Sequence, residues 1–312
     1  MPTEQTGAPV PPKRDEKSHW ILGMAYINAD DPRLLVPLPS KLGWAVNFGN
    51  PRATSFLFWL WVVWLAVFLV APLIVHPSRF SADPTPVLWV AMSNLLALGL
   101  VRASWSFRWS DLKQIRVASH GLVAMSIGFF MQTVVNGPLV LWWGAHDSSR
   151  IHQLILATVA GIAQTAGKLL GILLLFKTRL PSDVRDSARY GLLVGLGFAI
   201  SEITLIYFSW AWGYTPEKHI QWGFLIGVWE RGSAALFHIN SAGLVALALW
   251  TRRYWLIGWV VAVHALTDFL AGAGMLSSAY ALEGAISICA ASVWVTFPLA
   301  YELSRRVEDY RA

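Results

Sequence analysis

Long apolar runs alternate with short polar connections down most of this chain. The pattern predicts eight membrane-spanning helices near 55–75, 86–105, 117–142, 152–177, 188–210, 223–250, 254–275 and 280–302. Residues before the first run read differently. The stretch 1–18 is polar and proline-rich, which predicts a disordered tail rather than a signal peptide. Residues 19–54 mix short apolar pieces with turn chemistry, Asn-Ala-Asp-Asp-Pro and Phe-Gly-Asn-Pro, and are too few to support a core of their own. They are expected to form a small module lying against the membrane or the bundle. The domain plan is thus a tail (1–18), the module (19–54), two leading helices (55–116), a six-helix core (117–304) and a short tail (305–312). The fold class is all-α, a polytopic transmembrane bundle.

Composition agrees: 55% of the 312 residues are hydrophobic and 13% charged, about half the charged share of a soluble domain. The single cysteine, Cys289, excludes an intramolecular disulfide and a multi-cysteine metal site. Net charge is +6, and its placement carries more meaning than its size. Of the 24 lysines and arginines, nineteen fall in the tails and every second loop. Three (Arg79, Arg150, Lys218) fall in the alternate loops, and Lys168 and Arg231 fall inside spans. The positive-inside rule then predicts that both termini are cytoplasmic, in a plasma membrane. Membrane lipid is the expected surrounding partner, and no nucleic acid is expected. Tryptophans such as Trp59, Trp142 and Trp255 gather toward span ends as an interfacial belt.

Ionisable groups inside spans are rare and usually face a cavity or one another. Here they are Lys168, Glu202, Glu230, Arg231, His238, His264, Asp268 and Glu283, joined by uncharged Gln132, Asn136, Gln164 and Asn240. Counting about 1.5 Å per residue from the span ends puts Glu202, Glu230, His264 and Asp268 in one layer, roughly 10–17 Å below the outer surface. His238 lies deeper. His264 and Asp268, four apart, share a helix face, and Asp268 is placed to orient His264. Gly195, Gly197, Gly232, Ala234 and Ala235 suit a close approach of spans five and six. Glu283, three residues from a span end, is expected at the interface, and Lys168 is expected to snorkel toward headgroups. Glu230 beside Arg231 could simply lock the bundle through a charge on another span. Taken together, Glu202, Glu230, His238 and His264 could instead activate water, with a carboxylate as base and a histidine polarising a carbonyl. The same groups could hold zinc through Glu230, His238 and His264.

The segments GLGFAISEI (195–203), WERGSAALFHINSAG (229–243) and VHALTDFLAG (263–272) resemble the YhfC-like intramembrane proteases. These are relatives of PrsW and CAAX prenyl endopeptidase-like proteins. The resemblance spans about 117–302. It implies peptide-bond hydrolysis within the membrane, assigned as metal-dependent, on a membrane-protein or lipidated-peptide substrate. Glu202, Glu230, His238 and His264 would be the site residues, supported by Arg231, Asp268, Gln164 and Lys168. Two departures stand out. Gln164 and Thr165 occupy the positions of the family's paired glutamates, and Phe198 occupies a frequent histidine position. A protein that keeps the cavity but only binds a segment or lipid, and an ion-coupled transporter titrating Glu202, Glu230 and Asp268, are the competing functions. Residues 19–54 resemble a short bacterial domain of unknown function carrying the pattern DDPR…VP…GW…NFGNP.

Overall fold

The computed structural model describes residues 19–21, 25–40, 43–75, 85–104, 115–143, 149–211, 224–272 and 279–309. The expected tail at 1–18 lies outside them. Eight helices follow one another: α1 (Ala53–Val75), α2 (Thr85–Ser104), α3 (His120–Trp143, entered through a 3₁₀ turn at Arg116–Ser119), α4 (Arg150–Thr178), α5 (Val184–Ala211), α6 (Phe224–Thr251), α7 (Trp255–Gly272) and α8 (Ala279–Asp309). Seven are long and apolar enough to cross a membrane, and α7 is a shorter apolar helix. The chain is a multi-pass helical membrane protein, and each expected span coincides with a helix.

Helix α6 is the axis. It packs on α5, α8, α2, α7 and α4, and 83% of its apolar window is buried, against 11% for α1. An apolar helix so exposed on its own chain is a lipid-facing helix. The two leading helices are nonetheless part of the bundle. Trp61 Nε1 on α1 donates to Ser201 Oγ on α5 at 2.9 Å, and Leu96 on α2 fills the space over Gly232.

Small residues set the closest approach. A Cβ added at Gly195 would lie 2.4 Å from the carbonyl oxygen of His238 and 2.6 Å from Ile239 Cα, so α5 and α6 touch backbone to side-chainless backbone there. The other expected small residues serve different neighbours: Gly197 lies against Ala118 in the 3₁₀ turn, and Gly232 against α2. Gly195→Val should therefore force apart the two helices that carry Glu202 and His238. The expected loss is about 1–3 kcal/mol, read as a lowered unfolding midpoint in detergent. Gly258→Ala, which meets nothing within 4 Å, should leave the midpoint unchanged or raise it.

The module departs from expectation in having strands and a small apolar cluster. Two antiparallel hairpins, β1 (Trp20–Ile21) with β2 (Ala25–Tyr26) and β3 (Leu35–Pro37) with β4 (Trp44–Val46), are joined by a bridge between Tyr26 and Asn47. Tyr26, Val36 and Ala45 pack together with Trp20 and Leu38. Three apolar residues cannot hold such a piece, and hydrogen bonds make up the difference. The fully buried Asn47 accepts from Asn28 N and Gly49 N and donates to the carbonyls of Asn28, Asp31 and Arg33. Asn50 donates to Pro32 O and accepts from Arg52 N, at the start of α1. Phe48 then packs with Leu57 of α1 and Leu174 of α4, seating the module on one end of the bundle.

Asp31, wholly buried, accepts from Arg33 through both carboxylate oxygens and from Tyr26 at 3.2 Å. The Arg33 hydrogen bonds hold its carboxyl below the usual aspartate range despite burial. A folded value below the unfolded one means stability that is complete above roughly pH 4 and lost as pH falls through the folded value. Tryptophan fluorescence of the module in the full chain should therefore report loosening on the acid side, and Asp31→Asn should abolish that acid-side step.

Candidate functional site

Helices α4, α5, α6, α7 and α8 enclose a cavity of about 170 Å³ toward the bundle end away from the module. Glu202 reaches it from α5, Glu230, Arg231 and His238 from α6, and His264 and Asp268 from α7. These side chains, on three helices, line the one cavity. Gln164 of α4 also lines it, and Ile286 and Ala290 of α8 close one side.

The pairing inside the cavity differs from the expected one. His238 Nε2 lies 2.9 Å from Glu202 Oε2, an ordinary hydrogen bond between α6 and α5. His264 Nε2 lies 3.8 Å from Asp268 Oδ2, too far for a hydrogen bond. The carboxylate that orients a histidine is thus Glu202 on His238, and Asp268 only stands beside His264. The i, i+4 spacing keeps two side chains on one face, whereas the bond from α5 to α6 depends on the close approach at Gly195, which spacing along one helix does not reveal. The two imidazoles meet edge to face, their centroids 5.6 Å apart. Nδ1 of each is buried without a hydrogen-bond partner among the described residues.

Glu230 is engaged differently. Its carboxylate pairs with the neighbouring Arg231 guanidinium, both side chains being 9% exposed. That pair is internal to α6, while the Arg231 guanidinium also feels Glu202 of α5, Asp268 of α7 and Glu283 of α8. Its consequence is chemical: a carboxylate neutralised by arginine is a weak base.

Lys168 does not snorkel. It is fully buried at the middle of α4, donating to Ser241 Oγ at 2.9 Å. Its ammonium also stands 5.0 and 4.9 Å from the ring centres of Phe198 and Phe237. These partners hold the side chain inside the bundle. Phe198 thereby acquires a role: its ring lies between Lys168 and His238, 4.5 Å from the imidazole centre. Of the two positions where the resembled family carries acids, Gln164 faces the cavity, donating to Gln132 at 3.1 Å. Thr165 is buried without lining it. Asn136 and Asn240 bond to backbone carbonyls of Leu156 and Leu236 and stand outside the lining.

Glu283 corrects the sequence reading. It is 0% exposed rather than interfacial, and neither carboxylate oxygen has a hydrogen-bond partner among the described residues. Distance from a helix end measures depth only for a helix facing lipid, whereas this end of α8 packs its Glu283 side inward. Serines at 233 and 287, which hydrogen bond at 3.0 Å between α6 and α8, carried the only hint of that facing.

The side chains as arranged do not form the zinc site expected at Glu230, His238 and His264. Among the described residues no three His, Cys, Asp or Glu side chains form a metal-ligand group. Of the implied ligands, Glu230 is neutralised by Arg231 and His238 is bonded through Nε2 to Glu202. The buried Lys168 and Arg231 also oppose a dication electrostatically. In comparisons with known proteins, no family profile, curated protein or solved structure matches this chain.

Proposed function

We propose that this protein is an intramembrane peptidase that hydrolyses peptide bonds by histidine-activated water, as its resemblance to YhfC-like proteases suggests. The observation that carries the reading is the Glu202–His238 bond at the wall of a polar cavity inside a membrane bundle. A carboxylate can only accept, so the hydrogen lies on Nε2 of His238 and Nδ1 keeps its lone pair. That nitrogen takes a proton from a water admitted to it when the substrate enters, and the hydroxide attacks the substrate carbonyl carbon. The resulting imidazolium is stabilised by Glu202 and returns its proton to the leaving amine. His264, beside His238 on the cavity wall, donates to the carbonyl oxygen as negative charge develops there. Arg231 and Lys168 bias the cavity toward that charge. No step passes through a metal.

We also infer a plasma-membrane location with both ends cytoplasmic, from the nineteen-to-three division of basic residues. The substrate class is a membrane-embedded or lipidated polypeptide segment.

One observation favours a second reading. Gln164 occupies the cavity wall with a side-chain oxygen that has no hydrogen-bond partner among the described residues, where the resembled enzymes carry an acid. A descendant that binds a segment or lipid without cutting it would look the same. Vesicles containing the full chain and a panel of single-span peptides, each with a fluorophore and quencher across the span, separate the two. Cleavage by the wild type that resists a zinc chelator supports the first reading. Cleavage by Gln164→Glu alone, with none by the wild type, establishes the second.

A further inference from the structure

Helices α6 and α8 run parallel and in register. Ser233 bonds to Ser287 at 3.0 Å, and ten residues further along each helix Gly243 lies against the ring of Phe297. One turn back from the serine pair, the same register sets Glu230 and Arg231 of α6 level with Glu283 of α8. That layer thus contains two carboxyl groups and one guanidinium. Arg231 is already paired with Glu230. Glu283 has no donor on either oxygen among the described residues and no exposure to solvent.

An ionised carboxylate in such a place would carry a penalty of several kcal/mol with no hydrogen-bond donor among the described residues to offset it. A neutral carboxyl carries far less. The other helices packed on α8 offer no relief. Helix α6 contributes Glu230, Arg231 and His238, α7 contributes His264 and Asp268, and α5 contributes Glu202. Of these, Arg231 is the one whose field acts on Glu283, while Glu202 and Asp268 compete for the same guanidinium.

We propose that Glu283 is a proton-binding site, held as a neutral acid, whose deprotonation is coupled to Arg231 turning from Glu230 toward α8. In that step the Glu283 O–H bond breaks and its proton passes to a water molecule drawn in beside it from the cavity side. The vacated oxygen accepts from Arg231, and the Glu230 carboxylate loses that guanidinium. Proton release at one carboxyl thus draws the guanidinium from another, and the cavity changes its charge pattern without any helix moving. The bound species is a proton, so the site stands whether or not the cavity hydrolyses peptides.

Infrared difference spectroscopy on the full chain in vesicles tests this directly, because it reads protonation and not turnover. Subtracting E283Q from the wild type at neutral pH should isolate the carbonyl band of a protonated carboxyl, shifted in D₂O. E230Q should retain that band. E283Q matches the neutral acid in shape and should fold like the wild type, checked by its unfolding midpoint. The proposal is overturned if the subtraction shows carboxylate bands instead, or if E230Q removes the neutral-acid band.

Discussion

Replacing His238 with alanine, or Glu202 with glutamine, should lower peptide cleavage by at least ~100-fold, the usual worth of a positioned acid or base. The two losses arise differently. His238→Ala removes the nitrogen that takes the proton. Glu202→Gln keeps the shape but can donate to Nε2, turning the imidazole so that Nδ1 carries the hydrogen and no longer accepts one. A double variant should then be scarcely worse than either single one, since the residues act as a unit. Glu230→Gln should cost less than Glu202→Gln, because Glu230 is already spent on Arg231. Initial rates on one cleaved peptide, with the four variants compared at equal folded fraction, decide the matter. Equal losses at 202 and 230, or near-normal turnover without His238, would contradict the assignment of the base.

The second large effect concerns stability. Arg231→Leu should destabilise the bundle by about 3–5 kcal/mol, because it removes the guanidinium that neutralises the buried Glu230 carboxylate. Changing both partners, Glu230→Gln with Arg231→Leu, should recover part of that loss, since the Glu230 charge is removed together with its guanidinium. Thermal or detergent unfolding of the two variants and of the single Glu230→Gln protein completes the cycle. A pair that contributed only weakly would show the same midpoint in all of them.

The bundle was legible in the sequence because lipid imposes a rule that length and hydropathy express directly: a spanning segment must be helical and about twenty residues long. The grouping of the site residues was legible for the same reason, since counting along a helix gives depth. Partnership was not. Glu202 meets His238 because Gly195 lets two backbones touch, and that contact lies between helices where no periodicity records it. Lys168 illustrates the limit from the other side. Hydropathy says where a lysine is costly, but the ring faces of Phe198 and Phe237 that make it tolerable belong to α5 and α6. Glu283 shows a third failure, because a helix end faces either headgroups or neighbours and the count of residues is identical. In the module, Asn50 was readable as a turn former, but neither it nor Asn47 as a hydrogen-bond hub that holds two hairpins together.

The seat of the module has a consequence for synthesis. Phe48 packs on Leu57, nine residues away, and on Leu174, far downstream. At about 5–20 residues per second, roughly 6–25 seconds separate the emergence of Leu57 from that of Leu174. For that interval the hairpins exist with only their own small cluster and the Asn47 bonds to hold them. Docking thus follows insertion of the fourth helix, and a chain stalled between the first and fourth helices would present an unseated module to the proteases of its compartment.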